Sequence, residues 1–145
     1  MNERPLTQEA ALVVGLATTA LPFAVDRLGE VQRWLRLLGG HGAAGAVLAE
    51  LGLTEQPELE VPGGSPDRAR PTAEQTVAAV CALAQARCAA RQADELTTAD
   101  LLAAVAEYYG SAFDRLLAAA GTTREQLSVA LAARQADEAA NHGAG

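Results

Sequence analysis

Three features of the chain predict an all-α fold. Apolar residues recur with helical spacing through most of the sequence, and no stretch alternates as a half-buried strand would. Threonines with an acidic or amide residue close behind mark helix starts at Thr7 and Thr72. A near-repeat, GGHGAAGAVLAELGL at 39–53 and YYGSAFDRLLAAAGT at 108–122, sets a small-residue turn before a short amphipathic helix ending at Gly52 or Gly121. The order of signals is the same in both halves, so the chain reads as two pseudo-symmetric repeats of about four helices each, joined by a linker.

The first repeat covers about 5–54. Thr7 is the expected N-cap of a helix whose first turn carries Glu9, where the helix dipole favours an acid. Pro22 interrupts the repeat after this helix, Glu30 to Leu38 form a second helix, and after the turn at Gly39 to Gly42 a third runs to Gly52, an expected left-handed cap. Residues 55–71 (EQPELEVPGGSPDRARP) hold four prolines and two glycines and read as an exposed linker. The second repeat, 72–135, opens on Thr72 with Gln75 at capping-box spacing, continues as a helix over 73–92, resumes from Thr98 to Ala106, and closes at Gly121. The apolar face is lost after Arg134, so 136–145 is read as a flexible tail that includes His142.

Composition narrows the function classes. The chain has 145 residues and a net charge of −7 without a basic cluster, which opposes binding to a phosphate backbone; nucleic acid is not an expected partner. All eleven basic residues are arginine, and lysine and isoleucine are absent while alanine is abundant, a bias typical of GC-rich bacterial codon usage. Without lysine, Schiff-base catalysis is excluded. No apolar run is long enough to span a bilayer, and Glu3, Arg4, Gln8 and Glu9 interrupt any leader-like segment, so a cytoplasmic protein without a membrane partner is expected.

Few residues offer chemistry. Cys81 and Cys88 lie seven apart on one predicted helix, too far to bridge and too few for a zinc site, so both are expected in the core. His41 sits in a Gly-Gly-His-Gly turn and reads as an ordinary surface histidine. The acidic residues Asp94, Glu95, Glu58 and Glu60 read as loop-solvating. Trp34 and Phe113 are expected core anchors, whereas Tyr108 and Tyr109 point about 100° apart on a helix, so one should face solvent as a contact residue. No GxxxxGK[ST], HExxH or GxSxG pattern is present, and neither a catalytic residue, a cofactor nor a metal is expected.

The order of these parts resembles the N-terminal repeat domain of Clp-type AAA+ unfoldases. The residues carrying the resemblance are MNERPLT at 1–7, Gly29-Glu30-Val31, Gly42-Ala43-Ala44 and Leu48 to Gly52, then Thr72, TTADLL at 97–102, Gly110-Ser111-Ala112 and Leu117 to Gly121. The resemblance spans about residues 1–135 and implies a module that receives substrates, adaptors or degradation marks and in some members binds antibacterial cyclic peptides. With no Walker motif, it implies a free-standing homologue acting as decoy, adaptor or sequestering protein. The chain departs from the family in lacking an aromatic residue before each opening threonine, where Pro5, Leu6 and Pro71 stand. Basic residues are missing from the turns after those threonines, and Glu30-Val31 and Ala99-Asp100 replace the usual histidine and glutamate of the second helices.

Two function classes fit this pattern. The first is a non-enzymatic module holding a peptide, protein or cyclic-peptide ligand, with Clp protease components among its partners, in a groove between the repeats lined by Leu6, Thr7, Pro71, Thr72, Glu74 and Gln75. The second is a Clp-like fold serving small-molecule binding or catalysis in a biosynthetic pathway, with Tyr108, Tyr109, His41, Glu107 and Asp114 as polar candidates near the turns. The acidic surface and sparse aromatics suggest a monomer or weak dimer.

Overall fold

The computed structural model describes residues 4–24, 27–53 and 71–143, the last eight of them as backbone only. The described residues form seven α-helices: α1 (Gln8–Ala20), α2 (Arg27–Leu38), α3 (Gly42–Glu50), α4 (Ala73–Ala90), α5 (Thr98–Tyr109), α6 (Ser111–Ala119) and α7 (Arg124–Gly143). A 3₁₀ turn at Leu21–Phe23, with Pro22 in its first positions, separates α1 from α2. The fold class is therefore all-α, as expected. The linker expected at 55–71 lies, except for Pro71, outside the described residues.

Local signals in the sequence account for the helix ends. Thr7 Oγ1 accepts from the Ala10 amide at 3.2 Å. Thr72 closes a full capping box, accepting from the Gln75 amide at 3.2 Å while its own amide donates to Gln75 Oε1 at 3.0 Å. Gly52 and Gly121 stop α3 and α6 at φ +75° and +82°, conformations that glycine adopts without a Cβ clash. Behind them the Leu53 amide donates to Leu48 O at 2.7 Å and the Thr122 amide to Leu117 O at 2.9 Å, the same closing bond twice. A third stop of this kind ends α4, with Gln92 at φ 56° and the Ala93 amide bonded to Cys88 O at 3.1 Å.

Two boundaries differ from expectation. Helix α2 starts at Arg27 rather than Glu30, which brings Leu28 into the core a turn early. Helix α7 continues to Gly143 past Arg134, because the QADEAAN segment consists mostly of residues that favour or tolerate helix even where no apolar face remains.

Helix α5 is the centre of the molecule. Every residue from Thr98 to Ala106 is buried, and α5 touches all six other helices. Trp34 and Phe113 are fully buried against the same core, as the sequence predicts. The chain start is tied alongside: Leu6 pairs with Leu96 in an isolated parallel bridge, the Thr7 amide donates to Leu96 O at 3.0 Å, and the Leu96 amide donates to Pro5 O at 2.9 Å.

At the first turn of α5 the fully buried carboxylate of Asp100 accepts two bonds from Arg91, at 2.9 Å from Nε and 2.5 Å from Nη2. It also accepts from the Thr97 amide at 3.0 Å and from Gln135 Nε2 at 3.4 Å. One side chain thereby joins the end of α4, the start of α5 and the middle of α7. Asp100→Ala removes the carboxylate that Arg91 and the Thr97 amide share, and is expected to reduce unfolding free energy by about 3 to 5 kcal/mol in urea titration. Gln92→Gly is expected to raise it by about 0.5 kcal/mol, the left-handed strain relieved less the extra entropy glycine loses on folding.

Candidate functional site

The six residues of the expected inter-repeat groove do not come together. Arg4 bonds through its amide to Gln85 Oε1 and through its carbonyl to Gln85 Nε2, each at 3.0 Å, and through Nε to Ala93 O at 2.9 Å. The start of α1, with Leu6 and Thr7, therefore lies beside the C-terminal part of α4 and the loop after it. Thr72 opens the other end of α4, and the rise from there to Gln85 is about 20 Å. Leu6 is half-buried against Leu96, Thr7, Thr72 and Gln75 are engaged as caps, and Pro71 and Glu74 stand exposed on their own. The duplicated sequence signals mark two separate helix starts, not two walls of one groove.

Of the secondary candidates, Tyr109 is internal, and Tyr108 and His41 are half-buried. Tyr109 is buried: its hydroxyl donates to Glu30 Oε1 at 2.9 Å and accepts from Trp34 Nε1 at 3.1 Å. Burial, reinforced by the Glu30 charge, pushes the Tyr109 phenol far above its ordinary range, so it remains neutral. Tyr108 is the more exposed of the pair, its ring edge-on to Tyr109 at 4.9 Å, and the Arg27 guanidinium lies 5.6 and 5.4 Å from the two ring centres. Arg27 also donates from Nη2 to Tyr108 O at 3.2 Å. These contacts tie α2 to the end of α5.

His41 is half-buried at the start of α3, with Nδ1 2.7 Å from Leu37 O, a contact that only a protonated Nδ1 satisfies. Beside it, a Cβ at Gly42 would lie 2.5 Å from Glu9 Oε2 and 2.7 Å from Thr98 Oγ1. Thr98 Oγ1 accepts from the Ala44 amide at 3.1 Å, so the start of α3 is capped from α5. Cys88 is buried with its thiol aimed at the carbonyls of Ala93 and Glu95, and burial first, then the nearby Asp100 charge, pushes its pKa up. That environment suits an inert core thiol, while Cys81 is half-buried and also outside any disulfide.

A cleft of about 480 Å³ opens between α4, α5, α6 and α7. Its floor is apolar, made by Ala103 and Ala106 of α5 with Leu127 and Leu131 of α7. Arg124 forms one wall: Nε donates to Asp114 Oδ1 at 2.8 Å, Nη2 to the carbonyls of Ala106 and Gly110 at 3.0 and 3.1 Å, and its guanidinium lies 5.8 Å from the Phe113 ring centre. Arg87, Glu107, Ser111 and Ser128 stand around the rim, exposed and unpaired among the described residues. Of the lining, only Glu107 and Asp114 are polar candidates from the sequence; the rest comes from four helices whose convergence no local spacing reveals.

Among the described residues no three histidine, cysteine or acidic side chains group closely enough to hold a metal ion. No described helix is long and apolar enough to cross a membrane. No protein-family model, curated protein or solved structure matches this chain.

Replacing Tyr109 with Phe removes the hydroxyl that Glu30 and the Trp34 indole N–H share. The variant is expected to lose about 1 to 3 kcal/mol of stability in urea titration, accompanied by a change in the Trp34 near-ultraviolet signal.

Proposed function

We propose that this chain is a non-enzymatic module that binds peptides or segments of protein, built on two repeats like those of the Clp N-terminal domain. The observation behind the binding reading is the cleft of α4 to α7, an apolar floor rimmed by Arg87, Glu107, Ser111 and Ser128. The floor residues are themselves buried, so a bound segment would be held chiefly by the donors and acceptors of both signs at the rim. Asp114, one of the polar candidates, is ion-paired at the surface with Arg124, which also bonds the Gly110 carbonyl at the end of α5. In favour of the repeat reading are the threonine caps that open α1 and α4 and the matching stops at Gly52 and Gly121.

The test is selection from a displayed random-peptide library, followed by amide chemical-shift mapping of the enriched peptides. Enriched sequences with one large apolar residue between charged positions should shift the resonances of Arg87, Glu107, Ser111 and Ser128. Arg87→Glu together with Ser128→Trp should weaken them by about tenfold or more without unfolding the protein, since both positions are exposed. No enrichment, or shifts confined to other surfaces, would overturn the assignment.

A further inference from the structure

Four charged side chains line the cleft of α4 to α7, and two of them cancel. Asp114 and Arg124 are ion-paired at 2.8 Å, which leaves Arg87 on α4 and Glu107 on α5. Both are exposed, and none of the ion pairs among the described residues uses either side chain. Their places along the cleft follow from the bonds that close its ends. At one end Arg91 and Gln135 hold Asp100, at 2.9 and 3.4 Å. At the other Arg124 holds the carbonyls of Ala106 and Gly110. Helix α4 turns back into α5 through a short connection, so the two run antiparallel. Arg87, one turn before Arg91, therefore stands about 6 Å beyond Asp100 along α5, whereas Glu107, two turns after Asp100, stands about 10 Å beyond it. The cation belongs to α4 and the anion to α5, on neighbouring helices whose axes are about 8 to 10 Å apart.

We propose, resting on the peptide-binding reading of this cleft, that the segment it takes carries one acidic and one basic side chain two residues apart, the acid meeting Arg87 and the base meeting Glu107. Side chains two apart on an extended chain share a face and lie about 7 Å from one another, a spacing that the flexible Arg87 and Glu107 side chains can match. The floor is apolar and buried, so discrimination between segments falls to the charges. A segment with two acids sets one of them against Glu107, and a segment with two bases sets one against Arg87. Like charges brought together in this way oppose binding, and each pairing therefore rejects a class of partner as well as attracting one. Ser111 and Ser128, exposed on the rim, have hydroxyls left for the backbone between the two charged positions.

Amide chemical-shift titration of the whole chain with three capped pentapeptides tests the pairing: Ala-Glu-Leu-Lys-Ala and its counterparts with two glutamates or two lysines. The mixed peptide should bind about fivefold tighter than either counterpart, with shifts at Arg87, Glu107, Ser111 and Ser128. Arg87→Glu should move the preference to the two-lysine peptide, and Glu107→Arg to the two-glutamate peptide. Combining the two reversals should restore the preference for the mixed peptide, now lying in the opposite direction, a result that attraction to the net charge of the chain does not give. Circular dichroism and melting temperature should stay near wild type in all three variants, because both side chains are exposed. Cleft shifts of equal strength with all three peptides, or preferences that the reversals leave unchanged, would overturn the pairing while peptide binding in the cleft stands. No cleft shifts with any of the three would overturn it too, and the displayed library then decides whether the cleft holds other segments.

Discussion

The carboxylate of Asp100 lies in the first turn of a helix that has almost no surface of its own. Removing a charge from water this completely is tolerable only when its acceptor sites are filled, and here Arg91, the Thr97 amide and Gln135 fill them from three elements. Arg91 is delivered by the left-handed stop at Gln92, which turns the chain as α4 ends. The position of α5 thus depends on a local backbone event in α4 and on a side chain from α7, and the other helices pack around the result.

At the far end of α5 a second set of polar contacts sets the direction of the chain. Tyr109 holds α2 through Glu30 and Trp34, and Arg124 draws α7 onto the carbonyls of Ala106 and Gly110. The cleft lies where α4, α6 and α7 meet around the C-terminal half of α5. Its rim residues point outward with no internal partner among the described residues, whereas Asp100, Tyr109, Glu30 and Arg124 are bonded within the molecule. That division separates the groups that build the fold from those available to a ligand.

Much of the fold is legible in the sequence because its signals are local. Thr7, Thr72 with Gln75, Gly52 and Gly121 act within one turn of chain, and each begins or ends a helix where spacing indicates. The start of α2 and the reach of α7 are less visible, since Leu28 and Gln135 draw their helical context from distant partners. The site is mostly illegible for the same reason. Duplicated caps at Thr7 and Thr72 suggest a shared groove, yet their relative placement is set by Arg4 meeting Gln85 and Leu6 meeting Leu96, pairings invisible to periodicity. Helical geometry alone divides the tyrosine pair, but only the structure assigns Tyr109 to the inside, through the acid at Glu30.

Fixed at one end by Asp100 and at the other by Tyr109 and Arg124, α5 should be the last element to open. Native-state amide hydrogen exchange measures this directly. The amides of Leu102 to Ala106 should exchange only through global unfolding, with the free energy found by urea titration, and those of α1 should open at lower free energy. Exchange of the α5 amides through a smaller opening than those of α1 or α4 would contradict the central place of this helix.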